Sequence, residues 1–303
     1  MTDLPPGSTI GILGGGQLGR MLSVAAARLG YKTHIFEPSA NPPAADVAHA
    51  VTTAPYDDIA ALQAFAASVD VITYEFENIP TAALDALEAL RPIRPNRRAL
   101  AISQDRILEK DFLTGLGLTC APYAPVPTLA DLTAAIATIG TPAILKTTRL
   151  GYDGKGQARI KSAADAAAAH ASMAGAPSVL EGFIAFTHEV SVIAARGLDG
   201  AVACYDPGEN VHRDGILHTT TLPARLSPSQ RSDAILLAAR ILTALEYAGV
   251  MGAELFAPPP APIAAIPADA ADRFADMPVM SGWKIQLAAA PTQQAALVIL
   301  QRA

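Results

Sequence analysis

Charge is scarce in this chain. Only 17% of its 303 residues are Asp, Glu, Lys or Arg, against about a quarter in ordinary domains, which excludes a polyelectrolyte or disordered chain. The 22 basic and 28 acidic residues leave a net charge of −6, which argues against a dedicated nucleic-acid binder. Cysteine is almost lacking. Cys120 and Cys204 make neither a disulfide framework nor a metal-type pair. Long apolar runs are missing too: hydrophobic residues reach 51%, yet none of their runs approaches the roughly 18 residues of a membrane span. The apolarity is largely alanine, the best helix former. Residues Met1 to Pro6 show neither the positive flank nor the apolar stretch of a secretion signal. The expectation is a cytoplasmic α/β protein, with no membrane or nucleic-acid partner and two or three domains at about 150 residues each.

What is present is alternation. Strand-type runs at Ser8–Leu13, Lys32–Phe36 and Val69–Tyr74 are separated by helical patterns at Leu18–Leu29 and Ile59–Ala67. This βαβαβ order predicts a parallel sheet with helices on both faces. A further helix is expected at Thr81–Leu90, stopped by Pro92 and Pro95. A second unit starts near residue 108, with helices at Leu108–Leu116 and Leu129–Ile139 joined by a Pro-punctuated link, then a strand at Ala143–Lys146. Strand patterns return at Ser178–Glu181, Glu189–Ala195 and Ala201–Tyr205, followed by a long helix over Pro228–Leu245 and a strand at Val250–Phe256. The texture then changes: Ala257–Ala268 holds five prolines in twelve residues, and no strand is expected beyond it.

Two glycine loops carry chemical meaning. Gly14, Gly16 and Gly19 fit G-x-G-x-x-G between a strand and a helix, and Glu37 ends the next strand 23 residues on. That layout suits a dinucleotide, with pyrophosphate on the helix N-terminus and the acid on the ribose. It equally suits a turn that lets strand and helix pack closely. The second loop, Gly151-Tyr-Asp-Gly-Lys-Gly-Gln157, follows a strand ending on Lys146. Backbone N–H groups and a fixed ammonium suit the phosphates of ATP, although a surface hairpin turn would look the same. No Gly-Lys-Ser/Thr opens a helix here, so it is not a Walker A loop.

Five segments occur in order: Gly14-Gly-Gly-Gln-Leu-Gly-Arg-Met21, Tyr74-Glu-Phe-Glu-Asn-Ile-Pro80, Lys146 with Gly151–Gln157, Glu189-Val-Ser-Val192, and His212-Arg-Asp-Gly-Ile-Leu217. Together they resemble N5-carboxyaminoimidazole ribonucleotide synthetase, an ATP-grasp enzyme of purine biosynthesis, from about residue 8 to Phe256. The resemblance implies an ATP-grasp fold with an N-terminal Rossmann-like domain (1–106), a lid (107–182), an incomplete C-terminal α+β domain (183–256) and a divergent tail (257–303). It implies ATP between lid and C-terminal domain, not on the first glycine turn.

By the same resemblance, Arg106 and Lys146 would hold phosphates beneath Gly151, Tyr152, Asp153, Gly154, Lys155, Gly156 and Gln157. The hinge Glu181, Gly182, Phe183 and Ile184 would meet adenine, Glu189 the ribose, and His212 another part of the nucleotide site. Glu254 would bind magnesium or manganese. Gln17, Glu75, Glu77 and Asn78 are candidates for the aminoimidazole ribonucleotide, and Tyr152 and Asp153 join Lys146 as candidate catalytic residues. The implied reaction is ATP-dependent carboxylation of that ribonucleotide by bicarbonate through carboxyphosphate, in a homodimer. Another ATP-grasp ligase and an inactive nucleotide-binding remnant are the alternatives. A nicotinamide oxidoreductase is disfavoured because nothing after residue 100 supports hydride chemistry.

The family pattern continues past Glu254 into a second acidic strand, Asn-Glu-x-Ala-Pro-Arg, and then His-Asn-Ser-Gly-His; residues 257–303 carry neither. Asp269, Asp272 and Asp276 are the only later acids. The expectation is therefore weak turnover, with a missing metal carboxylate and an uncovered sheet edge beside Val250–Phe256.

Overall fold

Parallel strands need crossover connections, and the first hundred residues supply them as helices. A computed structural model describes residues 4–151, 155–213, 216–257 and the strand 284–288. Its first sheet comprises β1 (Thr9–Leu13), β2 (Lys32–Glu37), β3 (Ala50–Thr53) and β4 (Val71–Tyr74), all parallel in the order β3-β2-β1-β4. Helices α1 (Gln17–Arg28), α2 (Ile59–Ala67) and α3 (Thr81–Glu88) flank it. Leu13, Phe36, Leu62, Phe65, Ile72 and Leu84 fill the core between this sheet and α2–α3. The sequence pattern predicts no strand at β3, whose Ala-Val-Thr-Thr run is only four residues long. Helices α4 (Arg97–Ser103) and α5 (Arg106–Gly115) follow.

The second sheet is antiparallel, in the order β5-β8-β6-β7. It contains β5 (Tyr123–Val126), β6 (Ala143–Thr147), β7 (Gln157–Ile160) and β8 (Ser178–Gly182), with α6 (Leu129–Ile139) and α7 (Ala166–Ser172) packed on it. Here β5 occupies the stretch expected to be only a link. Its Pro125 is compatible with an edge strand, where a missing N–H goes unfelt.

The third sheet runs β12-β11-β9-β13-β14, with β10 also paired to β9. Its strands are β9 (His188–Arg196), β10 (Val202–Cys204), β11 (Gly208–Arg213), β12 (Ile216–Thr221), β13 (Gly249–Ala257) and β14 (Lys284–Ala288). Helix α8 (Pro228–Ala244) covers one face, with Ala234, Leu237, Ala238, Ile241 and Leu242 against Val190, Val192, Ala194, Met251, Ala253 and Leu255. Its start is fixed by a capping box of Ser227 and Gln230 with Pro228 at the first turn.

The expected bare edge beside β13 is not found. β14 pairs antiparallel there, from Gly252 opposite Ala288 to Phe256 opposite Lys284. Lys-Ile-Gln-Leu-Ala alternates as a strand should, but five residues behind a proline-rich stretch gave too little signal. Asp269, Asp272, Asp276 and Trp283 lie outside the described residues.

One contact orders the first unit. Gly16, at the N-cap of α1, offers no side chain, and the helix would begin with orphaned N–H groups. Glu75, just past β4, supplies the missing acceptors: its Oε1 accepts from Gly16 N at 2.7 Å and its Oε2 from Gly19 N at 2.6 Å. Glu37 Oε2 accepts from Gly15 N at 2.9 Å. A methyl on Gly16 would sit 2.7 Å from Glu75 Oε1, so glycine is needed for the approach.

Glu75 is buried, and its loss would leave two donors without their charged acceptor. Glu75→Ala should therefore lower folding stability by about 2 kcal/mol. Glu37→Ala, at a site nearer water, should cost less than about 1 kcal/mol. Urea midpoints of the two variants test this; equal costs would contradict it.

Candidate functional site

The antiparallel register of β6 and β8 sets Lys146 opposite Val179 and Ile144 opposite Glu181. Lys146 and Glu181 are thus diagonal neighbours on one face, and Lys146 Nζ donates to Glu181 Oε2 at 2.8 Å. A third charge comes from α5: Lys110 Nζ lies 3.4 Å from Glu181 Oε1. All three side chains are nearly buried, exposing 14% (Lys146), 8% (Glu181) and 5% (Lys110). Lys110 also stands 5.7 Å over the ring of Tyr123, the cross-strand partner of Glu181. Burial pushes the Lys146 ammonium down, partly offset by Glu181, while Arg106 and Lys110 push the same way as burial. For Glu181 burial pulls upward, but Lys146, Lys110 and Arg106 outweigh it and hold the carboxyl below its ordinary value.

These residues form the polar end of a pocket whose other wall is apolar, lined by Ala121, Ile144, Gly182, Phe183, Ile184, Phe186 and Phe256. Phe186 and Phe256 pack with ring centroids 5.0 Å apart and planes tilted by 51°. A pocket with one charged end and one aromatic end suits a planar heterocycle carrying an anionic group.

The glycine loop springs from the same strand. Lys146 pairs with Gln157, and Thr147 N donates to Gly156 O at 2.8 Å, closing the stem. Gly156 has φ +66°, where a side chain would be strained and would also meet Thr147 Oγ1 at 2.6 Å. Arg106 opens α5 behind an Asp105 cap, and its guanidinium donates to Gly151 O at 3.4 Å. Gly151, Lys155, Gly156 and Gln157 are therefore placed at the loop stem. Tyr152, Asp153 and Gly154 lie outside the described residues.

On the third sheet Glu189 and Glu254 share a face: Glu189 is opposite Phe256, and Glu254 is opposite Ser191. His212 Nδ1 is 3.2 Å from Glu189 Oε1, a contact that needs one proton between the two groups. Asn210, paired with Glu189 across the strands, is held by Ser191 and Thr220. Burial raises the Glu189 carboxyl to about 7, against a smaller lowering by Asn210. Glu254 is raised by burial and then by Glu189, with His212, Arg106 and Lys146 pulling it back. Arg106, Lys146, Glu189 and His212 are thus all within electrostatic reach of Glu254.

Gln17, Glu75, Glu77 and Asn78 form a separate group at the carboxyl edge of the first sheet. Gln17 begins α1, Glu75 is engaged by the glycine turn, and Asn78 Nδ2 donates to Glu77 Oε1 at 3.1 Å. Sequence reasoning missed the link between this group and the loop. Buried Gln104 donates from Nε2 to Ile79 O at 2.5 Å and accepts from Arg149 Nη2 at 2.6 Å. Lys110 was missed as well, because a lysine on an amphipathic helix reads as solvated. Neither carries a local signal.

Two family models match. A ribonucleotide synthetase preATP-grasp domain covers residues 7–104, and an ATP-grasp domain covers residues 111–264. A protein of Brucella melitensis biotype 1 named N5-carboxyaminoimidazole ribonucleotide synthase is 52% identical over 257 residues, spanning 84% of this chain and 71% of that protein. The chain belongs to the N5-carboxyaminoimidazole ribonucleotide synthase family. The solved ADP complex of an N5-carboxyaminoimidazole ribonucleotide synthetase superposes with a TM-score of 0.85 at 38% identity, over 96% of this chain and 72% of that one. The Aspergillus clavatus N5-carboxyaminoimidazole synthase, solved with ADP and 5-aminoimidazole ribonucleotide, gives 0.76 at 28%, over 83% of this chain and 66% of that one. The fold is accordingly the ATP-grasp of this synthase family, with the parallel-sheet unit ahead of it.

The raised Glu189 carboxyl has a signed consequence. Its folded value of about 7 lies above the ordinary 4.5, so the folded state holds the proton more tightly and stability falls as pH rises between those values. Glu189→Gln should remove this loss, on the order of 2 kcal/mol above pH 7 and nothing below about pH 4.5. Melting temperatures from pH 4.5 to 8 check it, and a variant no more stable than wild type at pH 8 would refute it.

Proposed function

We propose that the pocket between the second and third sheets binds ATP and that the chain carboxylates 5-aminoimidazole ribonucleotide with bicarbonate. The observation that supports this most is the buried Lys146–Glu181 pair, set between an aromatic cleft and the stem of a glycine loop. Phe183, Ile184, Phe186 and Phe256 would take the adenine beside the Glu181–Ile184 hinge. Lys146 and Arg106 would neutralise phosphates under Gly151–Gln157, including Tyr152, Asp153 and Gly154. Glu189 would accept from a ribose hydroxyl, with His212 beside it.

A bicarbonate oxygen would attack the γ-phosphorus, ADP would leave, and carboxyphosphate would form. The exocyclic amine of the ribonucleotide would then attack the carboxyl carbon, expelling phosphate and losing a proton. No protein nucleophile is needed; the residues position the reactants and compensate charge. Excluding water protects the hydrolysable intermediate. Gln17, Glu77 and Asn78, with the Glu75 turn behind them, are the side chains we assign to the ribonucleotide.

Magnesium fits Glu254 in chemistry: a hard oxygen donor whose carboxyl is raised by burial and by Glu189, a burden a cation would relieve. No group of three or more His, Cys, Asp or Glu that could hold a metal occurs among the described residues. That agrees with an ion held by one or two carboxylates plus phosphates. Bound there, it would neutralise charge developing on the phosphates; manganese has the same donor preference.

A second reading, nucleotide binding with little turnover, has its own support. The strand beside Glu254 contains no acid, and Gln286 stands at the register position opposite it. Phosphate release dependent on both bicarbonate and the ribonucleotide distinguishes the two readings, and a substrate panel separates other ATP-grasp ligases. The proposal also keeps the division at 1–106, 107–182, 183–256 and 257–303, a homodimer and a cytoplasmic location. No helix among the described residues is long and apolar enough to cross a membrane.

Lys146→Ala should lower ATP use about 10²–10³-fold, the scale of losing one preorganised charge donor. Arg149→Ala should do much less, since that guanidinium is engaged by Gln104. Initial rates of ADP formation test this; equal losses would mean that net charge rather than placement matters.

A further inference from the structure

Glu181 is the only carboxylate in contact with two buried ammoniums among the described ion pairs, and the two are not equivalent. Lys146 makes a hydrogen bond at 2.8 Å, whereas Lys110 waits at 3.4 Å beside an oxygen, Oε1, that accepts no hydrogen bond. Lys146 sits on the strand that carries the glycine loop. Lys110 comes from α5 and is fixed by the Tyr123 ring, whose hydroxyl donates to Asp111 Oδ1 at 2.6 Å. A lysine paired to a carboxylate is a poor anion ligand, because it must leave that partner first. Leaving would strand a buried charge, which costs far more than breaking a solvated pair.

We propose that Lys110 is the counter-cation that lets Lys146 change partners. When an anionic ligand enters the pocket, Lys146 swings from Glu181 to the phosphates, and Lys110 closes on Oε1 so that Glu181 keeps a cation. Lys110 is thus a positioning residue: it need not touch the ligand. This inference rests on the nucleotide reading above and adds to it a residue with no place in that site's ligand set.

The test compares ATP with adenosine, which shares the base and ribose but has no phosphate. Calorimetric affinities of both are measured for the full chain and for Lys110→Met, Lys110→Arg, Glu181→Gln and the double variant Lys110→Met/Glu181→Gln. Lys110→Met should lower the ratio of ATP to adenosine affinity about ten- to a hundredfold, the scale of disturbing a desolvated charge pair. Lys110→Arg should retain the ratio. The double variant, which no longer has a carboxylate needing a cation, should restore it to within about threefold. Should Lys110→Met fail to fold, Glu181→Gln carries the test alone: with Lys146 released, the ratio should rise. A double variant as poor as Lys110→Met would place Lys110 on the phosphates and overturn the inference. So would a Lys110→Met ratio equal to wild type, or a fall for Glu181→Gln. A wild-type chain binding neither ATP nor adenosine would instead defeat the nucleotide reading itself.

Discussion

A buried carboxylate must be given cations, and the placement of Glu181 sets terms that the surrounding structure meets. Lys146 reaches it only because β6 and β8 pair in a register that makes the two diagonal neighbours. Lys110 reaches it only because α5 lies across Tyr123, the residue opposite Glu181 on β5. A slip of one residue in either pairing would turn these charges to the opposite face. Registry in the second sheet and the electrostatics of the pocket are therefore the same constraint. The short edge strand β5, with a proline at its third position, matters more than its length suggests.

The third sheet shows the opposite imbalance. Around Glu181 positive charge is in excess, whereas Glu189 and Glu254 hold their protons more tightly than free carboxylates do. A ligand with an anionic end and an associated cation would relieve both sides at once. Charges left strained in the free protein do not favour folding. They are the kind of arrangement that binding sites use, since the ligand supplies the missing partner.

Much of this was legible along the chain. The βαβ alternation gave the parallel sheet, and Lys146 before a glycine-rich loop pointed to the pocket for which ATP is proposed. What escaped were several strands, the six-residue β11 and β12 among them, and long-range polar contacts. β3 and β7 have four residues each, too few for a period to declare itself. β14 followed a proline-rich stretch that masked its alternation. Gln104 and Lys110 look like ordinary helix-surface residues until tertiary packing buries them. The first glycine turn was legible only as an open choice between a nucleotide site and a packing turn, and only the fold shows that Glu75, 59 residues after Gly16, is already there.

That occupancy has a meaning of its own. The start of a helix behind a glycine turn attracts anions, and proteins with this layout often leave it open for a phosphate. Here the polypeptide delivers its own negative group, two oxygens spaced to suit two amides, from the end of a neighbouring strand. The turn is self-ligated. The contact acts as an internal clasp between strand and helix, and the segment that follows Glu75 is held at the rim of the sheet as a consequence.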